Sequence, residues 1–274
     1  MRALTFSGIF TDEGLDLEPG FVVDGQPPEP DGDLVVQVTG RTGAIVAATR
    51  LALETPCALP GGDAVVRVAV GLVPFPRGST GLRVSLGGRQ LLERTVPRGR
   101  LQAEVDWPDA LSGTQALRWR ASEEGCQAVL GYSNDGGRHW EPLSLPTASD
   151  SIAFDTRLLP GGVPGLLELR VTDGLRTIAL RSEPYKVEPK GWTLWILAPP
   201  EGAPLAAGRP VLLAAQGYHL DERRPSFEGI RWSSSVDGDL GSGARIDALL
   251  SVGEHRIMAR ANGQTAEVAV TVEG

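Results

Sequence analysis

The sequence predicts an all-β protein of three tandem β-sandwich domains, and three observations point there. Short apolar runs alternate inward and outward with period two. The 35 glycines and 21 prolines of the 274 residues fall between those runs, where they punctuate strands with turns. Asp-Gly pairs sit between apolar flanks, as at Asp135-Gly136 and Asp237-Gly238, and supply the positive φ that tight hairpins need. No stretch carries a helical period over three turns. A sandwich takes roughly 100 residues, so the length suits units spanning 1–103, 104–189 and 190–274.

In the first unit, Leu34–Val38 and Ala44–Ala48 read as strands flanking a turn at Arg41-Thr42-Gly43. Val65–Val70 and Leu82–Leu86 follow, and Gly87-Gly88 turns the chain into Gln90-Leu91-Leu92. The segment from Gly25 to Gly32 is a polar loop stiffened by proline.

The second unit has clearer alternation. Leu117, Trp119 and Ala121 face one way. Ala128–Ser133 crosses the Asp135-Gly136-Gly137 hairpin into His139–Leu143, and Leu167–Val171 turns at Asp173-Gly174 into Thr177–Leu180. The third unit opens on Trp192–Ala198, closed by Pro199-Pro200. Val211–Ala215, Ile230–Trp232, Arg245–Leu250, His255–Ala261 and Glu267–Val272 complete it, with a tryptophan on its third strand, as in immunoglobulin-like sandwiches.

Composition narrows the function classes. A formal net charge of −8 gives no general attraction to nucleic acid. No apolar run approaches the roughly 18 residues that would span a bilayer, so neither nucleic-acid binding nor membrane insertion is expected. Met1–Phe6 runs into Ser7-Gly8 and acidic residues without the apolar core of a signal peptide. Cys57 and Cys126 are the only cysteines and fall in different units, so both read as free buried thiols.

Candidate sites are few, and each has a structural reading. Asp31, Asp33, Asp237 and Asp239 form two Asp-Gly-Asp triplets. These read as turn chemistry, with a calcium ion as the weaker alternative because neither extends to a full oxygen-ligand ladder. No other cofactor or metal is expected. His139, His219 and His255 are scattered, and His255 reads as a hydrogen-bonded histidine at the edge of a core. No nucleophile motif, phosphate loop or dinucleotide fingerprint occurs, so no catalytic residue is expected and the chain does not read as an enzyme. Trp192 and Trp195, three apart on one strand, face opposite ways: one is expected in the core, the other at the junction of the last two units. With Phe75, a loop aromatic between Pro74 and Pro76, they are the expected interaction surface. Asp135, Gly137, Trp140, Asp237 and Gly238 read as structural hairpin residues.

On the residues Tyr132-Ser133 through Trp140, Leu159–Gly162 before the Leu167–Val171 strand, and Trp232 through Gly241 with Gly253-Glu254-His255, the chain resembles tandem immunoglobulin-like, fibronectin-III-like and PKD-like modules of large bacterial extracellular proteins. The resemblance covers 105–274 well and 1–104 loosely. Ser133-x-Asp135-x-Gly137-x-x-Trp140 also resembles the Asp box of sialidase-like propellers, though it occurs once and without propeller repetition.

The family resemblance implies a non-catalytic structural or binding array: a spacer, an adhesive surface, or a platform for a protein or glycan partner, with a homo-oligomer through sheet edges also implied. It implies an extracellular or cell-surface location, with an export signal outside this chain, while a cytoplasmic one is compatible with the cysteines. The alternatives are an accessory C-terminal region of a secreted hydrolase such as a metallopeptidase, a glycan-binding protein, and a subunit of a bacterial assembly.

Overall fold

The structure is a computed structural model that describes residues 1–55, 66–157, 159–226 and 228–274. Cys57 and the first residue of the expected Val65–Val70 strand lie outside the described residues. All regular structure described is β, and among the described residues no helix is long and apolar enough to cross a membrane.

The first sandwich uses β1 (Arg2–Thr11), β2 (Gly14–Leu17), β3 (Val22–Asp24), β4 (Leu34–Gly40), β5 (Ile45–Leu51), β6 (Arg67–Pro74), β7 (Ser79–Leu86) and β8 (Arg89–Thr95). β1 pairs with β2, β3 and β6, and a second sheet runs β5-β4-β7-β8. Leu4, Phe6 and Phe10 from β1 meet Leu34, Val36, Val38, Leu82 and Val84 from the facing sheet. Alternation on both inner faces is what lets two sheets share one apolar layer.

The second sandwich comprises β9 (Ala103–Asp106), β10 (Thr114–Ala121), β11 (Gln127–Ser133), β12 (Glu141–Pro142), β13 (Ser151–Asp155), β14 (Gly162–Thr172), β15 (Thr177–Arg181) and β16 (Tyr185–Val187). One sheet runs β13-β10-β9; the other runs β12-β11-β14-β15, with β16 against the start of β14. Leu117, Trp119, Ile152 and Phe154 pack on Leu130, Tyr132, Leu167 and Leu169. Two aromatic polar groups carried into this core are satisfied. Trp119 Nε1 donates to Ser149 O at 2.8 Å and Tyr132 OH to Pro160 O at 2.7 Å. Burial pushes the Tyr132 phenol up to about 12.

The third sandwich comprises β17 (Trp192–Ala198), β18 (Pro204–Ala206), β19 (Val211–His219), β20 (Arg224–Ser226), β21 (Arg231–Ser234), β22 (Gly238–Ser242), β23 (Arg245–Ala248), β24 (Gly253–Ala261) and β25 (Gln264–Glu273). β19 pairs with β17, β20 and β23, and the other sheet runs β18-β25-β24-β21-β22, with β18 parallel to β25. The chain therefore changes sheets between β17 and β18, and β21 lies between β24 and β22 in the second of them. Its Trp232 is 1% exposed and donates Nε1 to Gly243 O at 2.8 Å, as a core tryptophan on that strand should. His255 is buried between Ser234 Oγ at 2.8 Å and Ser251 O at 2.7 Å.

Two core assignments cross the segment order. Leu101 belongs to the second core, and Leu175, at the tip of the β14–β15 hairpin, belongs to the first.

Candidate functional site

The side chains with the most to say about function lie where one sandwich meets the next. Between the first two, Asp173 shapes the hairpin tip. Its Oδ1 accepts the amides of Leu175 at 3.0 Å and Arg176 at 2.7 Å, and its Oδ2 accepts Arg176 Nε at 2.6 Å. The turn so formed pushes Leu175 into the first core. Around it Thr172 Oγ1 donates to Gly20 O at 2.6 Å, Val22 N donates to Thr177 Oγ1 at 2.7 Å, and Gly20 and Gly174 form an isolated β-bridge. An apolar plug is thus ringed by threonine-to-backbone hydrogen bonds and one backbone bridge.

The second junction is polar. The Asp221 carboxylate gathers three backbone amides from two other segments: Gly161 N at 2.5 Å, Lys190 N at 3.0 Å and Gly191 N at 2.8 Å. Burial works to raise its pKa, but the amides of Gly191, Lys190 and Gly161 outweigh that and hold the carboxyl below the usual range. A Cβ on residue 161 would stand 2.6 Å from Pro189 Cα and 2.9 Å from Asp221 Oδ1, so only glycine lets the carboxylate approach. Asn134 Nδ2 donates to Gly161 O at 3.0 Å. Arg223, in a left-handed conformation at φ 53°, brings Nε within 2.8 Å of Glu141 Oε1. That contact is an ion pair without hydrogen-bond alignment.

The Asp135 hairpin stands beside this junction. Ser133 Oγ donates to Asp135 Oδ1 at 2.8 Å and accepts Gly137 N at 2.9 Å. Asp135 Oδ1 accepts the amides of Arg138 and His139, both at 3.0 Å, and Oδ2 meets His139 Nδ1 at 2.5 Å. Those bonds, led by the His139 amide and ring, drive the Asp135 carboxyl far below its ordinary pKa. Gly136 and Gly137 take φ of 78° and 84°, and Trp140 Nε1 closes the loop onto Gly137 O at 3.1 Å. The side-chain polar groups of Ser133, Asp135 and Trp140 are all bonded inside the turn.

In the third unit, Asp237 Oδ1 and Oδ2 accept Ser251 Oγ at 2.6 Å and Ser251 N at 3.0 Å, and Gly238 takes φ 73°. Among the described residues no three His, Cys, Asp or Glu side chains converge as metal ligands would.

The structure corrects the expected aromatic surface. Phe75 is not an exposed loop anchor: it is 2% exposed in the first core. Its amide donates to Arg2 O at 3.1 Å, extending the β1–β6 ladder past Pro74, and that fixes the ring inward. Neither Trp192 nor Trp195 enters the third core, to which β17 contributes Leu194 and the partly buried Ile196. Trp192, at the open end of the strand, is half-buried edge-on against His219 with ring centroids 5.0 Å apart, and Arg224 lies 5.6 Å over it. Trp195 is 41% exposed and tilted against Tyr218 at 6.2 Å. Both rings pack within the third unit, and the junction bonds come instead from Asp221, Gly161, Lys190 and Gly191.

Sequence reasoning passed over Asp221 and Leu175. The Asp221-Glu222-Arg223-Arg224 run looks like a solvated charged turn. Leu175 offered one signal, an apolar residue at a hairpin tip where solvent would be expected.

No family model matches this chain, and a comparison with curated proteins finds no match. Among solved structures it is similar to the fibronectin(III)-like modules of Clostridium thermocellum CbhA, with 11% identity over 63% of this chain and 94% of that one at a TM-score of 0.24. The N-terminal four Ig domains of Dscam1 isoform 6.9 match at 12% identity over 100% of this chain and 73% of that one, with a TM-score of 0.24. Domains 4 and 5 of the S-layer protein SbsC match at 14% identity over 64% and 98%, again at 0.24. Identities and scores this low leave the fold class to rest on the sheets and cores described above.

Proposed function

We propose that this chain is a non-catalytic array of three β-sandwich units, 1–103, 104–189 and 190–274, that holds binding surfaces at set positions outside the cell. The observation that carries this is the pair of bonded junctions. Leu175 plugs the first unit from the second, and the Asp221 carboxylate of the third unit takes the Gly161 amide of the second while it holds the Lys190 and Gly191 amides at the start of its own unit. A freely jointed string of modules needs neither. Inter-domain motion is the default when an interface is small and polar, so backbone-level ties at both junctions favour a stiff spacer.

Small-angle scattering with light scattering on the full chain tests the reading. An elongated monomer with one well-defined distance distribution supports it; a compact particle or a broad flexible ensemble sinks it.

A second reading, association with itself, is favoured by the exposed apolar side chains of β17 and β19: Trp195 at 41%, Leu197 at 59% and Leu212 at 46%. Light scattering across a concentration series reads it directly. A mass that stays monomeric would remove it.

A further inference from the structure

An open cleft of about 560 Å³ runs along the boundary of the first two units, lined by Arg2, Arg77, Arg170 and Arg181. Its acidic residues are Glu168 and Asp24, so four positive charges meet two negative ones in a protein whose net charge is −8. A basic cleft on an acidic protein is not a consequence of composition.

The arginines of the second unit are held in place. Glu168 is 2% exposed, and its Oε1 and Oε2 accept Arg170 Nε at 2.6 Å and Arg181 Nε at 2.7 Å. A buried carboxylate needs such partners, and both bonds use Nε. The Nη groups of both arginines are left without a hydrogen bond among the described residues. Arg181 also lies 5.1 Å over the Trp140 ring, which orients the guanidinium plane. From the first unit, Arg2 lies 5.8 Å over the Phe75 ring, and Arg77 extends from the loop between β6 and β7. Neither side chain makes a hydrogen bond among the described residues.

Next to the cleft is a mainly apolar hollow of about 170 Å³, lined by Val129, Leu130, Gly131, Trp140, Pro142 and the Glu141 carboxylate, which shares Glu168 and Arg170 with it. Charged and apolar contacts are thus offered side by side.

We infer that this cleft binds an acidic saccharide, a sugar chain bearing carboxylate or sulfate groups. The guanidinium forks take the anionic groups in the bidentate geometry that suits planar and tetrahedral oxyanions. The hollow beside Trp140 takes the C–H face of a sugar ring. A pyranose carries both features on one ring, which an acidic peptide does not. A long nucleic acid is repelled by the negative charge elsewhere on the chain. The inference rests on the proposed array, because the two walls of the cleft belong to different units.

The test is isothermal titration of the full chain with oligogalacturonate and with a sulfated heparin-derived oligosaccharide. Methyl-esterified oligogalacturonate and an oligoglutamate peptide serve as contrasts. The variants are Arg77→Gln and Arg2→Gln, whose side chains hold no part of the fold by hydrogen bonding. The expected result is binding of an acidic sugar that weakens with added salt, with about tenfold loss of affinity in each variant, some 1.4 kcal/mol. No binding of either acidic sugar overturns the site. Equal binding of the esterified sugar removes the role of charge, and equal binding of oligoglutamate makes it a peptide site. Unchanged affinity in both variants places the ligand elsewhere. Scattering separates this from the array: an elongated monomer that binds no sugar loses the cleft alone, and a flexible ensemble that binds loses the array alone.

Discussion

Asp221 Oδ1 accepts the amide of Gly161 at 2.5 Å across a gap in sequence of 60 residues, while its Oδ2 accepts the amide of Gly191 at 2.8 Å. One carboxylate therefore stitches the loop before β14 of the second sandwich to the start of the third. Asp221→Asn keeps the size but replaces one acceptor oxygen with a donor that faces backbone N–H groups. Charge-assisted bonds of this kind contribute about 1.5–3 kcal/mol each before overlap. The variant is expected to lose about 1–3 kcal/mol in all and to broaden the distance distribution in scattering. A variant that melts and scatters as the parent chain does would show the stitch to be idle.

The same carboxyl predicts an acid limb. Its folded pKa lies below its ordinary value, which for Asp is about 3.9. The stabilisation is therefore fully present above that ordinary value and is lost as the pH falls through the lower folded one. Melting temperature measured from neutral pH into acid should fall more steeply for the parent chain than for Asp221→Asn. Parallel curves would rule the linkage out.

Leu175 is 3% exposed in a core that its own sandwich does not form. Leu175→Ala removes the plug and leaves a cavity, at a cost of about 2–5 kcal/mol. Denaturant unfolding should show the loss in the first unit, with the second less affected. A confined loss in the second unit would contradict the placement.

Ser133 is fully buried, and its Oγ serves both the Asp135 carboxylate and the Gly137 amide. Ser133→Ala leaves those groups short of a partner, which costs about 1–3 kcal/mol. The expected signature is lower thermal stability with a shift in tryptophan fluorescence from Trp140. Unchanged emission and melting would mean the turn holds without it.

Cys126 is 5% exposed, and burial, aided by the charges of Asp173 and Glu123, pushes its thiol up. Because the thiolate is the reactive form, iodoacetamide should leave Cys126 unmodified in the native protein and modify it after unfolding. Peptide-resolved mass spectrometry reads this residue alone; rapid native labelling would be the contrary outcome.

Alternation made much of the fold legible. The inward sets Leu117 with Trp119, Leu167 with Leu169 and Val171, and His255 with Ile257 and Ala259 are all buried. Hairpin chemistry was equally readable at Gly136 and Gly238, both at positive φ. β1 was harder to see, because Gly8 interrupts the inward series Leu4, Phe6 and Phe10. Glu168 shows the limit of the rule. It sits on the outward face of the most regular strand in the chain, yet it is 2% exposed, because Arg170 and Arg181 from the same sheet pair with it.

The all-β class, the short strands and the turns that join them are written in local pattern. Those features depend on residues two to four apart, through pleat periodicity and the conformational freedom of glycine. That Phe75 is core, that Leu175 serves a neighbouring sandwich and that Asp221 is a tie rather than a solvated charge came from packing alone. Each of those outcomes depends on which distant segment arrives at a given side chain. Apolar contact and hydrogen bonding between distant segments act through space, so a strand pattern cannot record them.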